Sequence, residues 1–386
     1  MKKVYFDNAA TSNPKPDSVL DAMQHYLKHI CTSPGRGGYG QGLEAGRIVY
    51  ETRKKIKDLF NAPSEENVIF TQNITYALNF VMMGLLKPKD HVITTSMEHN
   101  SVIRPLRFLE RTRQIEVTVV PCDAQGKLAP EDIRNAIRDN TKLIVMTHAS
   151  NVTGQIMPVE AVAKIKEQAG VFFMLDTAQS AGVLDIDFKR LKLDFLAFTG
   201  HKSLYGPPGT GGLVISNAAA KAVDPVIHGG TGSLSDSEMQ PGFLPDKFEA
   251  GTPNTVGIAG LSAALDFINE KGIDSIREHE RQLTLAFIRG LKQIPRIKVY
   301  GSEDPEERVG TVSISVEGVD LGKMAYELDA DYGIMIRSGL HCSPLAHKTI
   351  GTFPEGTLRF SFGVFNTMED ITYGLEVLNE MAAKIK

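Results

Sequence analysis

The chain predicts an α/β layer fold: a large domain around a parallel sheet, followed by a smaller α+β C-terminal domain. Three observations carry that expectation. Short apolar runs recur from Val68 onward at roughly 25-residue spacing, with helical stretches between them. Several runs are unbroken rather than alternating, as strands buried on both faces are. After about Gly257 the pattern changes, and two long helical stretches lead into alternating runs.

Taken in order, the runs are Val68–Phe70, His91–Thr94, Val117–Val120, Leu143–Met146, Phe172–Leu175 and Phe195–Phe198. Between the third and fourth, Pro130, Glu131 and Asp132 stand where a helix's first turn takes proline and acids, ahead of Ile133 and Ile137. Strand–helix alternation of this kind implies right-handed crossovers, with ligand groups on loops beyond the carboxyl ends of the strands. Helices over 257–271 and 276–293 then precede Thr311–Val316 and Leu358–Phe362. Thr367 with Asp370 opens a last helix as a reciprocal capping pair. The expected division is a large domain over 15–256 and a small one over 257–386 that includes the N-terminal segment 1–14.

Composition narrows the function. The 386 residues are 42% hydrophobic and 23% charged, which suits a folded chain with a large core. A net charge of -4 leaves no basic surplus for sequence-independent binding to nucleic acid. No apolar run approaches the roughly 18 residues of a membrane helix. Met1–Asp7 carries two lysines and no apolar segment, so no secretory signal is expected. The cysteines at 31, 122 and 342 make neither a disulfide framework nor a C-x-x-C pair. These features suit a cytoplasmic protein that acts on a small molecule.

Some motifs fail for want of context. Gly35-Arg36-Gly37-Gly38-Tyr39-Gly40 spells G-x-G-x-x-G, but it follows a helical stretch and a Ser-Pro break rather than a strand. Gly200-His201-Lys202-Ser203 lacks the upstream glycine of a phosphate-binding P-loop. His25 and His29 lie four apart without the intervening acid of a metalloprotease, and no metal site is expected.

Polar clusters at the strand ends fit together better. Thr71-Gln72-Asn73-Ile74-Thr75 opens a helix after Val68–Phe70, which makes either an anion site or a simple cap by Thr71 or Asn73. Asp176-Thr177-Ala178-Gln179-Ser180 follows a buried strand, and its acid could pair with a ligand cation or cap the next turn. Thr199-Gly200-His201-Lys202 sets a lysine on a glycine-flanked turn at the same edge. An anion site, an acid and a lysine together are the parts needed for pyridoxal 5'-phosphate: a phosphate seat, a partner for the pyridinium nitrogen and a Schiff-base amine. His99, after a further strand, offers a ring to stack on it.

With these residues the chain resembles the class V aminotransferase family of fold-type I pyridoxal phosphate enzymes, and within it the SufS-like (group II) cysteine desulfurases. The resemblance runs over essentially the whole chain and implies a mostly parallel seven-stranded sheet in the large domain. It is carried by Tyr5–Thr11, Glu98-His99, Ser150–Gly154, Asp176–Gln179, Thr199–Lys202, Glu249–Asn254, Arg337–Cys342, and Arg359 followed by Phe365-Asn366-Thr367. It implies that Lys202 bears the cofactor, Asp176 meets the pyridine nitrogen, Gln179 meets the phenolic oxygen and His99 stacks on the ring. Asn151 would lie near cofactor and substrate. Ile74, Thr75, Thr199 and His201 would hold the phosphate, with Thr252 reaching it from the neighbouring subunit of a homodimer. Arg359 would grip the substrate carboxylate.

The resemblance also gives Cys342 a role as nucleophile toward the sulfur of L-cysteine, making a persulfide and L-alanine. Position alone leaves Cys342 even between such a thiol and an inert one, whereas Cys122 and Cys31 read as structural or inert. Arg337 and His341 are expected to favour its thiolate. A sulfur acceptor of the SufE or SufU type and a place in iron–sulfur cluster assembly are family expectations. Selenocysteine lyase or another class V aminotransferase or lyase is the alternative, with L-selenocysteine as a possible substrate.

Overall fold

The computed structural model describes residues 2–34 and 38–385. Gly35, Arg36 and Gly37 of the glycine-rich segment lie outside the described residues. The strands are β1 (Val4–Tyr5), β2 (Val68–Thr71), β3 (His91–Thr95), β4 (Glu116–Val120), β5 (Thr141–Thr147), β6 (Phe172–Asp176), β7 (Phe195–Thr199), β8 (Gly211–Ile215), β9 (Ile297–Tyr300), β10 (Thr311–Val316), β11 (Ile334–Met335), β12 (Arg337–Gly339) and β13 (Thr357–Ser361). The helices are α1 (Asp17–His25), α2 (Gly40–Phe60), α3 (Ile74–Leu85), α4 (Asn100–Arg113), α5 (Pro130–Ala136), α6 (Val159–Ala169), α7 (Asn217–Ala222), α8 (Thr255–Lys271), α9 (Ile273–Leu291), α10 (Leu321–Tyr332), α11 (Pro344–Thr349) and α12 (Met368–Ala383).

Seven strands form the large sheet in the order β2-β8-β7-β6-β5-β3-β4. All its pairings are parallel except those of β8, which runs antiparallel to both neighbours. The unbroken apolar runs are explained by what lies on each face. Ile144 and Met146 of β5 join one core with Phe173, Leu175, Leu196 and Phe198. Leu143 and Val145 join the opposite core with Met174, Phe195 and Ala197. Both faces are dry, so successive side chains are all apolar.

Strand β8 was absent from the sequence expectation because Gly211 and Gly212 interrupt its apolar run. The glycines are required by crowding: a Cβ at Gly212 would stand 2.4 Å from the Phe198 ring and 2.6 Å from the Ile69 carbonyl oxygen. Packing of β2 and β7 against β8 thus removed the residue type that would have revealed the strand.

A four-stranded antiparallel sheet, β12-β13-β10-β9, and the short parallel pair β1-β11 make up the smaller unit. Their core gathers Val4, Phe6, Phe287, Val312, Ile314 and Phe360. Helix α8 spans the expected boundary at 256/257, and its Leu261, Ala264, Leu265 and Ile268 lie in a core of the large sheet. After Gly272, at φ 80°, α9 turns Leu283, Phe287 and Ile288 into the core of the small sheet.

A fully buried guanidinium, that of Arg308, helps to stitch the two units together. Arg308 donates through Nη1 to Ser302 O (2.6 Å) and through Nη2 to Thr153 O (2.7 Å) and Thr311 O (2.6 Å). Ser313 Oγ adds a bond to Val152 O (2.6 Å). The loop 150–154 beyond β5 is thereby fixed against β10. Replacing Arg308 by Met leaves three buried carbonyls without a donor, so the urea midpoint should fall by the equivalent of about 3 kcal/mol. An unchanged midpoint in a urea titration followed by circular dichroism would show that the stitch is not needed.

Candidate active site

The carboxyl ends of β2, β3, β5, β6 and β7 share one edge of the large sheet, as their common direction requires. The polar clusters named from the sequence meet there around a cavity of about 220 Å³. Asn73, Ile74 and Thr75 come from the turn after β2, and His99 and Ser101 from the start of α4. Thr147, Ala149 and Asn151 follow β5, Asp176 and Gln179 follow β6, and Thr199, His201 and Lys202 follow β7.

Asn73 caps α3, its side chain accepting from Tyr76 N at 3.3 Å. The cap leaves the amides of Ile74 and Thr75 in the first turn, where no intrahelical acceptor exists, so the turn is both a cap and an anion seat. Thr75 Oγ1 lies 2.8 Å from Ser101 Oγ, which lies 2.9 Å from His99 Nδ1. Because His99 Nδ1 also accepts from Ser101 N at 3.0 Å, the ring is fixed at the N-terminus of α4. Burial, with Lys202 next in effect, pulls the His99 imidazole down to about 4, so the ring is neutral.

Asp176 ends β6 buried, with Oδ1 accepting from Ala178 N at 2.9 Å. Burial raises its carboxyl, while the Ala178 amide and Lys202 oppose the rise. Among the described residues the Lys202 amine takes part in no hydrogen bond. Burial lowers it to about 8, Arg359 pushes the same way and Asp176 opposes. The turn that carries Lys202 is held by the N-terminal segment: Ser12 N, Thr11 Oγ1 and Lys15 Nζ all donate to His201 O, at 3.0, 2.9 and 2.8 Å. His201 is held neutral by burial, at about 4, with Lys202 and Lys15 adding to the effect. Gln179 spends one amide proton on Ala9 O at 3.1 Å.

Arg359 rises from β13, buried, with Nη2 on Asp7 Oδ1 (2.6 Å) and Nη1 on Asn151 O (3.1 Å). Asn151 grips the turn that carries Cys342 from both sides. Its Nδ2 donates to His341 O and its Oδ1 accepts from Ser343 Oγ, both at 2.7 Å. Asn100 N donates to Cys342 O at 2.8 Å. Cys342 itself is exposed, on an outer cavity of about 510 Å³ that shares Thr75, His99 and Ser101 with the inner one. Arg337 Nη2 stands 3.9 Å from Cys342 Sγ, within reach of an N–H···S hydrogen bond. His341 cannot help as a cation, contrary to expectation: burial drives its imidazole down to about 2.

Thr252 does not line the inner cavity; it borders a separate hollow of about 710 Å³ with Arg53, Phe70 and Gln72. The partners that sequence reasoning missed are Ser101, Thr147, Asp7 as a counter-ion for Arg359, and Ser343. A serine two residues after His99, at a helix start, was the one signal available for Ser101. Among the described residues no group of three or more His, Cys, Asp or Glu side chains could hold a metal ion.

His99, His148, His201, His341 and His347 are all buried neutral, with burial as the first cause. Below the free-histidine range near 6.5 the unfolded chain takes up protons that the folded chain refuses, so stability rises with pH there. Glu98 and Glu280, each raised by burial to about 8, work in the opposite sense but are fewer. The melting temperature should therefore fall steadily as pH drops from about 6.5 to 4, and a flat profile in that window would contradict the buried histidines.

The class-V aminotransferase profile matches residues 4–373. A protein named as a probable cysteine desulfurase from Methanothermobacter thermautotrophicus is 36% identical over 98% of this chain and 94% of its own length. A namesake from Pyrococcus abyssi is 36% identical over 99% of this chain and 95% of its own. The solved apo structure of cysteine desulfurase from Thermococcus onnurineus superposes with a TM-score of 0.93 at 34% identity, covering 99% of this chain and 95% of that one. The cysteine desulfurase CsdA from Escherichia coli gives 0.89 at 28% identity, covering 99% and 95%. The mostly parallel seven-stranded sheet, its polar carboxyl edge and these full-length similarities agree: the chain belongs to the class-V aminotransferase family.

Proposed function

We propose that the chain is a pyridoxal-5'-phosphate-dependent cysteine desulfurase of the SufS-like type, which converts L-cysteine to L-alanine and takes the sulfur as a persulfide on Cys342. The observation that carries this reading is the exposed Cys342 thiol on an outer cavity that shares Thr75, His99 and Ser101 with the inner cavity of Asp176 and Lys202.

The residues present fit the cofactor. Thr199 Oγ1 lines the inner cavity, is fully buried and has no hydrogen-bond partner, so it is a polar atom waiting for one. The first-turn amides of α3 and the neighbouring hydroxyl of Thr75 make a phosphate seat. A buried carboxyl and a buried amine with lowered basicity complete the donor set. In this reading Ile74, Thr75, Thr199 and His201 hold the phosphate, Asp176 the ring nitrogen, Gln179 the phenolic oxygen and Lys202 the aldehyde carbon, with the His99 ring stacked above and Asn151 beside it. Thr252 completes the phosphate seat from a second copy of the chain in a homodimer. When bound, the cofactor supplies the electron sink that loosens the substrate's Cα–H and Cβ–S bonds.

The chain's own groups do the rest. Lys202 Nζ, neutral in appreciable fraction near pH 8, is suited to accept a proton and later return it. The neutral His99 ring has its Nδ1 tied to Ser101, which leaves Nε2 to hold a proton toward the cavity. Arg359 offers a fork to the substrate carboxylate, which would compete with Asp7 for Nη2. The Cys342 thiolate attacks the substrate sulfur beside the Arg337 guanidinium: a C–S bond breaks, an S–S bond forms, and L-cysteine plus thiol becomes L-alanine plus persulfide. A reductant, or an acceptor protein of the SufE or SufU type, then takes the sulfur toward iron–sulfur cluster assembly. Among the described residues no helix is long and apolar enough to cross a membrane.

With L-cysteine and a thiol reductant, the protein should release sulfide and alanine in equal amounts. Cys342→Ala should lose both by about 100-fold while keeping the absorbance of bound cofactor. The reading fails if wild type releases no sulfide, or if Cys342→Ala matches it. Activity of Cys342→Ala on L-selenocysteine alone would instead mark a selenocysteine lyase. Asp176→Asn, which removes the negative charge from the ring-nitrogen seat, should lower turnover by about 100-fold with cofactor still bound, and near-normal turnover would remove Asp176 from that role.

A further inference from the structure

The turn that presents Cys342 is strained. His341 and Cys342 both occupy the left-handed region, at φ 48° and 58°, which costs non-glycine residues about 1–2 kcal/mol each. Such a conformation lasts only where its surroundings over-determine it. The grip of Asn151 and Asn100 comes from the large sheet, on one side of the turn. The other side is held by a chain of side chains from the C-terminal unit alone.

That chain runs from Thr352 to the backbone of Arg337. Thr352 Oγ1 lies 2.7 Å from His347 Nδ1, His347 Nε2 lies 3.3 Å from His341 Nδ1, and His341 Nε2 lies 3.3 Å from Arg337 O. The two rings face each other at 29°, with centroids 5.5 Å apart. A carbonyl oxygen only accepts, so His341 Nε2 carries its proton and Nδ1 is bare. His347 must then donate from Nε2, and its bare Nδ1 takes the Thr352 hydroxyl. Each link has one direction, and the direction is imposed from the Arg337 end. A second proton on His341 would set two N–H groups head to head.

We infer that His347 is a positioning residue for Cys342. Through His341 it fixes the left-handed turn and, in the same act, the backbone of Arg337, whose guanidinium stands 3.9 Å from Cys342 Sγ. His347 is fully buried and touches neither cavity, so it acts on the sulfur only through these bonds. Both ends of the segment Arg337–Thr352 are thereby drawn together around the thiol. The inference rests on Cys342 as the sulfur-accepting thiol, and its test has an arm that needs no substrate.

The first arm follows iodoacetamide labelling of each cysteine by peptide mass spectrometry at pH 7, with exposed Cys31 as an internal reference. His347→Met fills similar space without a donor. It should slow Cys342 labelling by about threefold or more while Cys31 is unchanged, because the Arg337–Sγ contact is lost. His347→Gln, whose amide can still donate to His341 Nδ1, should restore the wild-type rate. In the second arm, sulfide release from L-cysteine by His347→Met should show kcat lower by about tenfold with KM within about twofold. Equal Cys342 labelling in His347→Met and wild type overturns the inference, as does a Gln variant impaired as much as the Met variant. Should His347→Met not fold, Thr352→Val removes the last donor of the chain and should slow labelling in the same direction; an unchanged rate there also overturns it. A wild type that releases no sulfide defeats the desulfurase reading alone, and the labelling arm still decides the role of His347.

Discussion

The buried pair of Arg359 and Asp7, 2.6 Å apart, is the interaction on which the site's assembly turns. A guanidinium that is nearly inaccessible must be paired and hydrogen-bonded, or its burial is prohibitive. Asp7 supplies the charge and the Asn151 carbonyl supplies a second acceptor. Each belongs to a different part of the chain: the N-terminal segment, the loop after β5, and the small sheet. Satisfying one buried cation therefore brings three remote segments to a single point. Asn151 passes the constraint on to the Cys342 turn, and Thr11, Ser12 and Lys15 pass it to the Lys202 turn.

Around that point the protein manages charge by burying most polar groups in neutral form. His99, His148, His201, His341 and Glu98 are all shifted toward their uncharged states by burial. Lys202 lies between its two forms near pH 8. The inner cavity is lined by neutral His99 and His201, by Lys202 and by Asp176, together with the hydroxyls of Thr75, Ser101 and Thr199. The two stitches of the large and small units both use a guanidinium fork: Arg308 on three backbone carbonyls, Arg359 on the Asn151 carbonyl and the Asp7 carboxylate.

Much of this was legible in the residues. The six apolar runs became β2 to β7; in the central β5, β6 and β7 both faces are dry, and unbroken apolarity is the direct mark of that burial. The polar clusters after them had to share an edge once the strands ran parallel. Strand β8 was not legible, since close packing by Phe198 and Ile69 required glycine where an apolar residue would have signalled a strand. Asp176, His99 and Lys202 were found through position at strand ends. Ser101 and Ser343 were not, because a serine's role depends on which neighbour folding brings within 3 Å. The assignment of a cationic role to His341 failed for a related reason: proximity in sequence to Cys342 does not reveal that the imidazole is buried against His347.

The topology also orders these contacts in time. β2 pairs with β8 across Val68↔Val214, and β1 pairs with β11 across Val4↔Ile334. Neither pairing exists until the later strand has been synthesised. Asp7 is synthesised long before its guanidinium partner at 359. A nascent chain can thus complete the large sheet, with Lys202 and Asp176 already on its edge, while the clasp over that edge is still untranslated. The clasp needs Asp7 and Arg359 to meet, so it closes only after β13 has been synthesised.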